Sequence, residues 1–484
     1  MLFPLGLSVA AGLAVGFIHW KKRQPMLWLT AAVLALNLLI AVRVCMTPGR
    51  SHSLELFKIA DGLHVQFQAD TLGRLFSLLF AFVWLIVGLA AFEYMEHEEE
   101  NPRFFAFYLI VGGILSAACY AGNFFTYYLL FELMTLTSMP LVLHDRSHEA
   151  IMAALKYLFY SMAGAFMTLF GFFLFRSQGQ PLVFLAGGSL TMKTLNSLQL
   201  MAVFLMILGF STKAGMFPNH GWLPTAHPVA PAPASAVLSG VITKAGVLGV
   251  IRTVYYVVGA DKLRGTWVQT AWIGLTLVTI FMGSMLAYRE NLLKKRMAYS
   301  TVSQVSYVLF GLSLLHPLAF TGAILHVVFH SLVKDTLFLS AGAIIVRTGR
   351  THVSELDGIG KTMPITMWCF TLVSITLIGI PPTSAFVSKW YLAVGALASE
   401  IPVIRWLGPA VLLVSALLTA GYLLTISIKA FLPNKGAENL PTGKTEPGWR
   451  MLLPMAVMTA LSVVLGVWPA PLLSAIQTVV GSLF

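Results

Sequence analysis

The chain has 484 residues, 57% of them hydrophobic and only 10% charged, with a mean hydropathy of +0.81. A soluble domain of this size carries far more polar surface, so the composition excludes one and indicates an all-α polytopic membrane protein. The net charge of +12 is no nucleic-acid footprint, because Lys and Arg are scattered through short loops between apolar runs.

Apolar runs long enough to cross roughly 30 Å of hydrocarbon number about fourteen. Their approximate limits are 2–18, 26–46, 72–92, 104–121, 123–143, 150–175, 200–225, 234–258, 267–287, 297–315, 319–346, 364–399, 405–430 and 451–482. The first run resembles a secretory signal in length, but no basic segment precedes it. No A-x-A-like site comes before Lys21-Lys22-Arg23, so it reads as a first helix. The short joint at Gly122–Asn123 predicts a tight helical hairpin. Lys and Arg in alternate loops, Arg50 and Lys435 among them, divide by about two to one in favour of both termini outside.

Two polar segments interrupt the pattern. Residues 93–103 (E-Y-M-E-H-E-E-E-N-P-R) form an acidic loop, read as a solvated face or a partner-docking surface. Residues 434–449, rich in Gly, Pro and charge, form a flexible loop before the last span. Cys45, Cys119 and Cys369 lie far apart in apolar runs without a C-x-x-C, so they read as small core residues and not as an iron–sulfur site.

Two spans are broken by proline. The seventh stops after Lys213 at Pro218, and the twelfth is interrupted at Pro381-Pro382 before Lys389. Corresponding broken helices in two halves point to an inverted-repeat transporter with its site near mid-membrane. The expected division is helices 1–3 over residues 1–103, a first five-helix repeat over 104–258, a second over 259–430, and a loop and last helix over 431–484.

The costly residues fall in the same places. Glu132 sits mid-span in Y-Y-L-L-F-E-L-M, where a carboxylate is either protonated or paired, as a switch or as a structural ion pair. Lys213, Lys244, Lys334 and Lys389 supply matching cations. A lysine near a helix end can snorkel, which suits Lys213 and Lys334 but not Lys244. His326, His330 and Lys334 recur every four residues, on one helix face, and imidazole passes a proton through either nitrogen. Neither H-E-x-x-H nor a nearby cysteine completes a metal site around them. Ser300, Ser303 and Gln304 add polar groups that hold water between the halves or bond across helices.

From about Ala69 to Trp468 the chain resembles the antiporter-like subunits shared by respiratory complex I, Mrp-type Na+/H+ antiporters and membrane-bound [NiFe] hydrogenases. The resemblance rests on ordered motifs: F-E-L-M at Glu132, P-N-H-G-W-L-P-T-A-H after Lys213, P-A-P-A-S-A before Lys244, K-K-R-M-A-Y-S-T-V-S-Q, H-x-x-x-H-x-x-x-K, and G-I-P-P-T-S-A-F-V-S-K. It implies a proton path in which Glu132 and Lys213 are the coupling pair, Lys244 the central lysine, His326 and His330 the relay, and Lys389 the terminal exchange residue. Lys156 and Lys334 match further polar positions along that path, and Ser303, in the K-K-R-M-A-Y-S-T-V-S-Q motif, is counted on it too. Lys389 and Asp335, at positions where a core respiratory member differs, favour an Mrp-like or hydrogenase-type member.

The expected function is therefore proton translocation, with Na+ exchange as a variant, by one subunit of a hetero-oligomeric complex in a bacterial or archaeal cytoplasmic membrane. Its partners would be other membrane subunits, lipid and H+ or Na+, with no nucleic acid. No catalytic residue, metal or cofactor belongs to this chain, lipid aside; redox cofactors would lie in partner subunits. A solute transporter would need a roomy aromatic cavity, and a quinone-associated redox subunit would need a quinone site. An inert scaffold could keep one buried pair but has no use for a whole chain of costly residues.

Overall fold

The computed structural model describes residues 2–47, 53–60, 63–432 and 443–484. Arg50, Lys435 and residues 434–442 of the polar loop lie outside them. In hydrocarbon each apolar run must satisfy its own backbone, and helices do so. The first seven are α1 (Phe3–Phe17), α2 (Arg23–Cys45), α3 (Thr71–Tyr94), α4 (Asn101–Cys119), α5 (Phe124–Val142), α6 (His148–Ser177) and α7 (Ser197–Ala214). Then come α8 (Leu223–Val229), α9 (Ala232–Val258), α10 (Trp267–Arg289), α11 (Leu293–Ser313) and α12 (Pro317–Thr348). The last are α13 (Pro364–Ile378), α14 (Ser384–Leu397), α15 (Pro402–Phe431), α16 (Trp449–Val467) and α17 (Ala470–Leu483). Among the described residues, eleven helices are long and apolar enough to cross a membrane, and α1, α13 and α17 are shorter apolar helices.

Polar side chains set the starts. Asp70 caps α3 by accepting from Gly73 N (2.9 Å), Asn123 caps α5 through Thr126 N (2.8 Å), and Asn196 with Gln199 forms a capping box on α7. The 120–123 joint turns α4 back on α5. Two features depart from the hydropathy reading. The run at 451–482 is two helices, because Pro469 has no N–H to donate and the backbone turns at Trp468. Strands β1 (Ser53–Ala60) and β2 (Leu63–Gln68) form an antiparallel hairpin between α2 and α3. It docks on the α4–α5 joint, with Gln68 N donating to Tyr120 O (2.7 Å) and Gly122 N to Gln66 O (2.8 Å).

Helices α9 and α12 form the centre. Every residue of α9 is buried, and α12 is buried from Ala319 to Ile344 by α3, α9, α11, α13, α14, α16 and α17. Twice α9 widens into π-helix, at Leu238–Ile242 and Arg252–Val258. The two predicted breaks share a construction. Helix α7 ends on Gly215 (φ 80°) and α13 on Gly379 (φ 91°), left-handed positions that glycine adopts without strain. Beyond them lie Pro218 and Pro382, each after a cis peptide bond.

Most of the acidic loop is clasped. Arg23 Nη1 pairs with Glu96 at 2.8 Å, Arg450 reaches Glu96 at 3.5 Å, and Glu93 accepts from the Gly448 backbone N–H.

Candidate functional site

Lys213 closes the last turn of α7 at the first break and is 1% exposed. Its ammonium donates to Tyr157 Oη and Ser161 Oγ, both at 2.9 Å on α6, and lies 4.2 Å from the centre of the Tyr157 ring. Phe131 and Trp222 rings complete an aromatic surround at 5.7 and 5.9 Å. Ser138 extends the hydroxyl chain, 2.7 Å from Tyr157 Oη. Glu132 is half-buried one helix away. It lies within electrostatic reach of Lys213 but forms no ion pair with it, and its Oε1 has no hydrogen-bond partner among the described residues. The expected pair is thus neighbouring but open, the lysine being held by hydroxyls instead.

Lys244 is fully buried in α9, where the π turn frees a carbonyl. Its Nζ donates to Ser239 O at 2.6 Å and lies 2.6 Å from His330 Nδ1 on α12. Lys334, one turn beyond His330, is also fully buried and donates to Met297 O (3.1 Å). Neither Lys213 nor Lys334 snorkels: both ammonium groups end inside the protein.

Asp335, fully buried, presses its carboxylate against Gly240 in the same π turn; a Cβ there would occupy the carboxylate's place. Both carboxylate oxygens lack a hydrogen-bond partner among the described residues, and Lys244 is the cation whose charge they feel. An ionised carboxylate in such a place needs a counter-charge or a proton.

The second half continues from His326. Its ring centre lies 6.0 Å from that of His330. Its nitrogens meet Ser388 Oγ (2.9 Å) and Gln304 Oε1 (3.2 Å), and the ring stacks on Tyr307. Lys389 lies over the other part of this group, 5.1 Å from the Tyr307 ring centre. Its Nζ donates to Leu377 O (2.7 Å) and Ile378 O (3.0 Å), the carbonyls exposed where α13 stops. Ser303 joins a hydroxyl cluster with Ser284 (2.8 Å) and Ser415 (3.3 Å), and Gln304 leads on to Thr419 (3.4 Å).

The structure thus brings Lys244 to His330, and His326 through Gln304, Ser388 and Tyr307 to Lys389. Among the described residues, no hydrogen bond joins Lys213 to Lys244, and His330 Nε2 has no further acceptor. Lys156 stands apart, half-exposed on α6 beside Gly221. Sequence reasoning missed Tyr157, Ser161, Tyr307 and Ser388, whose hydroxyls and rings carry no signal distinct from ordinary core residues. It also missed His227, fully buried, with neither ring nitrogen hydrogen-bonded among the described residues. Its signal was present, a histidine between prolines in P-T-A-H-P.

The family model described as NADH:quinone oxidoreductase/Mrp antiporter, TM, matches residues 121–419. The chain is 31% identical to NADH-quinone oxidoreductase subunit N of Desulforudis audaxviator, over 98% of this chain and 96% of that protein. It is 30% identical to one of the Na(+)/H(+) antiporter subunits of Alkalihalophilus pseudofirmus, over 84% of this chain and 80% of that one. Its fold matches a chain of the Mrp complex from Dietzia sp. DQ12-45-1b with a TM-score of 0.85 and 23% identity, covering 100% of this chain and 96% of the other.

Proposed function

The chain belongs to the NADH:quinone oxidoreductase/Mrp antiporter family, and from that premise we propose that it moves protons across the membrane as one subunit of a larger membrane complex. One observation carries the reading: Lys244, His330, Lys334, His326 and Lys389 form a file of ionisable groups along the protein interior, with Lys244 and His330 in direct contact. Burying these groups in a low-dielectric interior is costly, and a route that needs protons at mid-depth gives the cost a use.

In the proposed cycle an event in a neighbouring subunit changes the distance between Glu132 and Lys213. With Glu132 close, its charge stabilises the ammonium; with Glu132 withdrawn, only the hydroxyls of Tyr157 and Ser161 hold it. The proton crosses through water to Lys244, transfers to His330 and His326, and leaves through Lys389. His330 accepts at Nδ1, where Lys244 touches it, and releases from Nε2, which has no acceptor among the described residues. Water must bridge the two gaps, and a buried imidazole nitrogen without a protein partner is where a bound water gains most.

We assign both termini to the outer face from the Lys and Arg balance of the loops, and treat residues 104–258 and 259–430 as the two inverted halves, a division that the matching construction of their breaks supports. Lys389 and Asp335 favour an Mrp-like or hydrogenase-type complex, with Na+ exchange as its variant. The test uses the intact complex in liposomes, with proton flux measured per assembled complex. Glu132→Gln and Lys213→Met should each abolish coupled flux while the complex still assembles. Wild-type flux in both variants would refute the proposal.

A further inference from the structure

The acidic loop has no place in the route just described, yet one of its five glutamates behaves unlike the others. Glu93 and Glu96 are tied to Gly448, Arg23 and Arg450. Glu100 faces Arg146 at 4.0 Å, and Glu99 is exposed, its carbonyl 3.0 Å from His144 Nε2. Glu98 is half-buried, with the hydroxyl of Tyr94, itself only 4% exposed, close by.

Behind Glu98 the structure lines up further ionisable groups. Its carboxylate lies within electrostatic reach of Lys294, on the first turn of α11, without direct contact between them among the described residues. Lys294 is 8% exposed and points inward, donating to Pro228 O (2.9 Å) and Ala230 O (2.5 Å) where α8 gives way to α9. Those carbonyls follow directly on His227. Its ring stacks on Phe338 with centres 4.6 Å apart, and both nitrogens lack a hydrogen-bond partner among the described residues. The charged groups facing His227 are Lys294, Lys334 and Lys244. One sequence of neighbours therefore runs from an aqueous loop to the contact between Lys244 and His330.

We infer that Glu98 is the proton-collecting residue of this chain, and that Lys294 and His227 pass what it collects to Lys244. The inference rests on the proton-transport reading above and adds where protons are taken up. Chemically, the Glu98 carboxylate binds a proton from bulk water and becomes a carboxylic acid. It then releases that proton inward to a water held between Lys294 and His227. The imidazole accepts it at one nitrogen and releases one from the other, returning to its starting form.

The groups facing Glu98 are Tyr94 and His97 from its own segment, Lys294 from α11 and Asp145 from the α5–α6 loop. Burial pushes the Glu98 carboxyl above its ordinary range, Asp145 adds to the rise, and Lys294 opposes it. Such a carboxyl exchanges protons closer to neutral pH than a surface glutamate does. The Tyr94 ring itself packs against Gly342 of α12.

The experiment uses the assembled complex in liposomes and compares Glu98→Gln, Glu98→Asp, His227→Gln and Glu96→Gln. Glu98→Gln should lower the transport rate several-fold and remove its dependence on pH over the acid limb. Glu98→Asp should restore most of the rate with the acid limb displaced. Glu96→Gln, which loosens the clasp to Arg23, should leave both unchanged. A wild-type rate and pH profile for Glu98→Gln would overturn the inference. Should that variant not assemble, His227→Gln decides, because an unaltered rate there breaks the same route. The two readings separate cleanly: normal flux in Glu132→Gln and Lys213→Met sinks proton transport itself. Loss of flux in those two, with normal flux in Glu98→Gln, removes only this point of uptake.

Discussion

Replacing Asp70 by asparagine isolates one charge. Asp70 performs two jobs just ahead of α3. Its Oδ1 accepts from Gly73 N at 2.9 Å, and its carboxylate binds both Nη atoms of Arg252, at 2.5 and 2.7 Å. The Arg252 side chain is 1% exposed, between the rings of Tyr256 and Phe184, whereas the Asp70 side chain remains 23% exposed. Asparagine caps a helix about as well as aspartate, so Asp70→Asn keeps the cap and deletes only the counter-charge. A buried charge stripped of its partner costs about 3–5 kcal/mol. Because the amide oxygen still accepts one bond, the lower end, about 3 kcal/mol, is expected. Asp70→Ala removes the cap as well and should cost about 1 kcal/mol more. Arg252→Met should cost less than Asp70→Asn, since the carboxylate it strands still reaches water. Denaturant or thermal unfolding in detergent, with burial of Trp272 and Trp222 as the fluorescence reporter, ranks the three variants. Asp70→Asn matching wild type, or Arg252→Met proving the more harmful, would show that the guanidinium is not charged and locked as described.

Two further outcomes follow from named contacts. The His144 imidazole sits outside the spans, 5% exposed; burial, reinforced by Arg103, pushes its pKa down to about 4. The unfolded chain, with an ordinary histidine near 6.5, then binds more protons between pH 6.5 and 4, so stability falls as pH drops through that window, by up to about 3 kcal/mol. His144→Gln should flatten the loss in unfolding curves taken at pH 6.5, 5.5 and 4.5. Gly209 on α7 leaves no room for a side chain: a Cβ would fall on Gly164 O and Thr168 Oγ1 of α6. Gly209→Ala should cost about 1–3 kcal/mol. It should also impair flux, because the same interface holds Tyr157 and Ser161 against Lys213; unchanged unfolding and flux would contradict the close approach.

Much of this was legible because the signals are periodic or expensive. Apolar runs found the helices within a few residues, since the bilayer leaves the backbone no other choice. Lys213, Lys244, His326 and His330 stood out because a charge or imidazole deep in an apolar run demands a reason. Pro218 and Pro382 marked both breaks. The remainder depended on tertiary placement. The exposed strand β1 carries no amphipathic signal tied to a core, and the turn at Trp468 lies inside a run whose hydropathy barely changes. That Glu132 and Lys213 stand open, with hydroxyls on the ammonium, is a matter of side-chain geometry. So is the half-burial of Glu98 within a stretch of like charges.

The π turn at Leu238–Ile242 has a consequence for how Lys244 is positioned. An α-helix gives each interior carbonyl to the N–H four residues on, and a wider turn releases it. Here Ser239 O takes the lysine ammonium and Gly240 O the Ser331 hydroxyl. Removing one residue would restore regular winding, silence those acceptors and rotate everything upstream by about 100° relative to Lys244. The surplus residue therefore works as a mechanical shim, setting by backbone geometry alone which way a cation points.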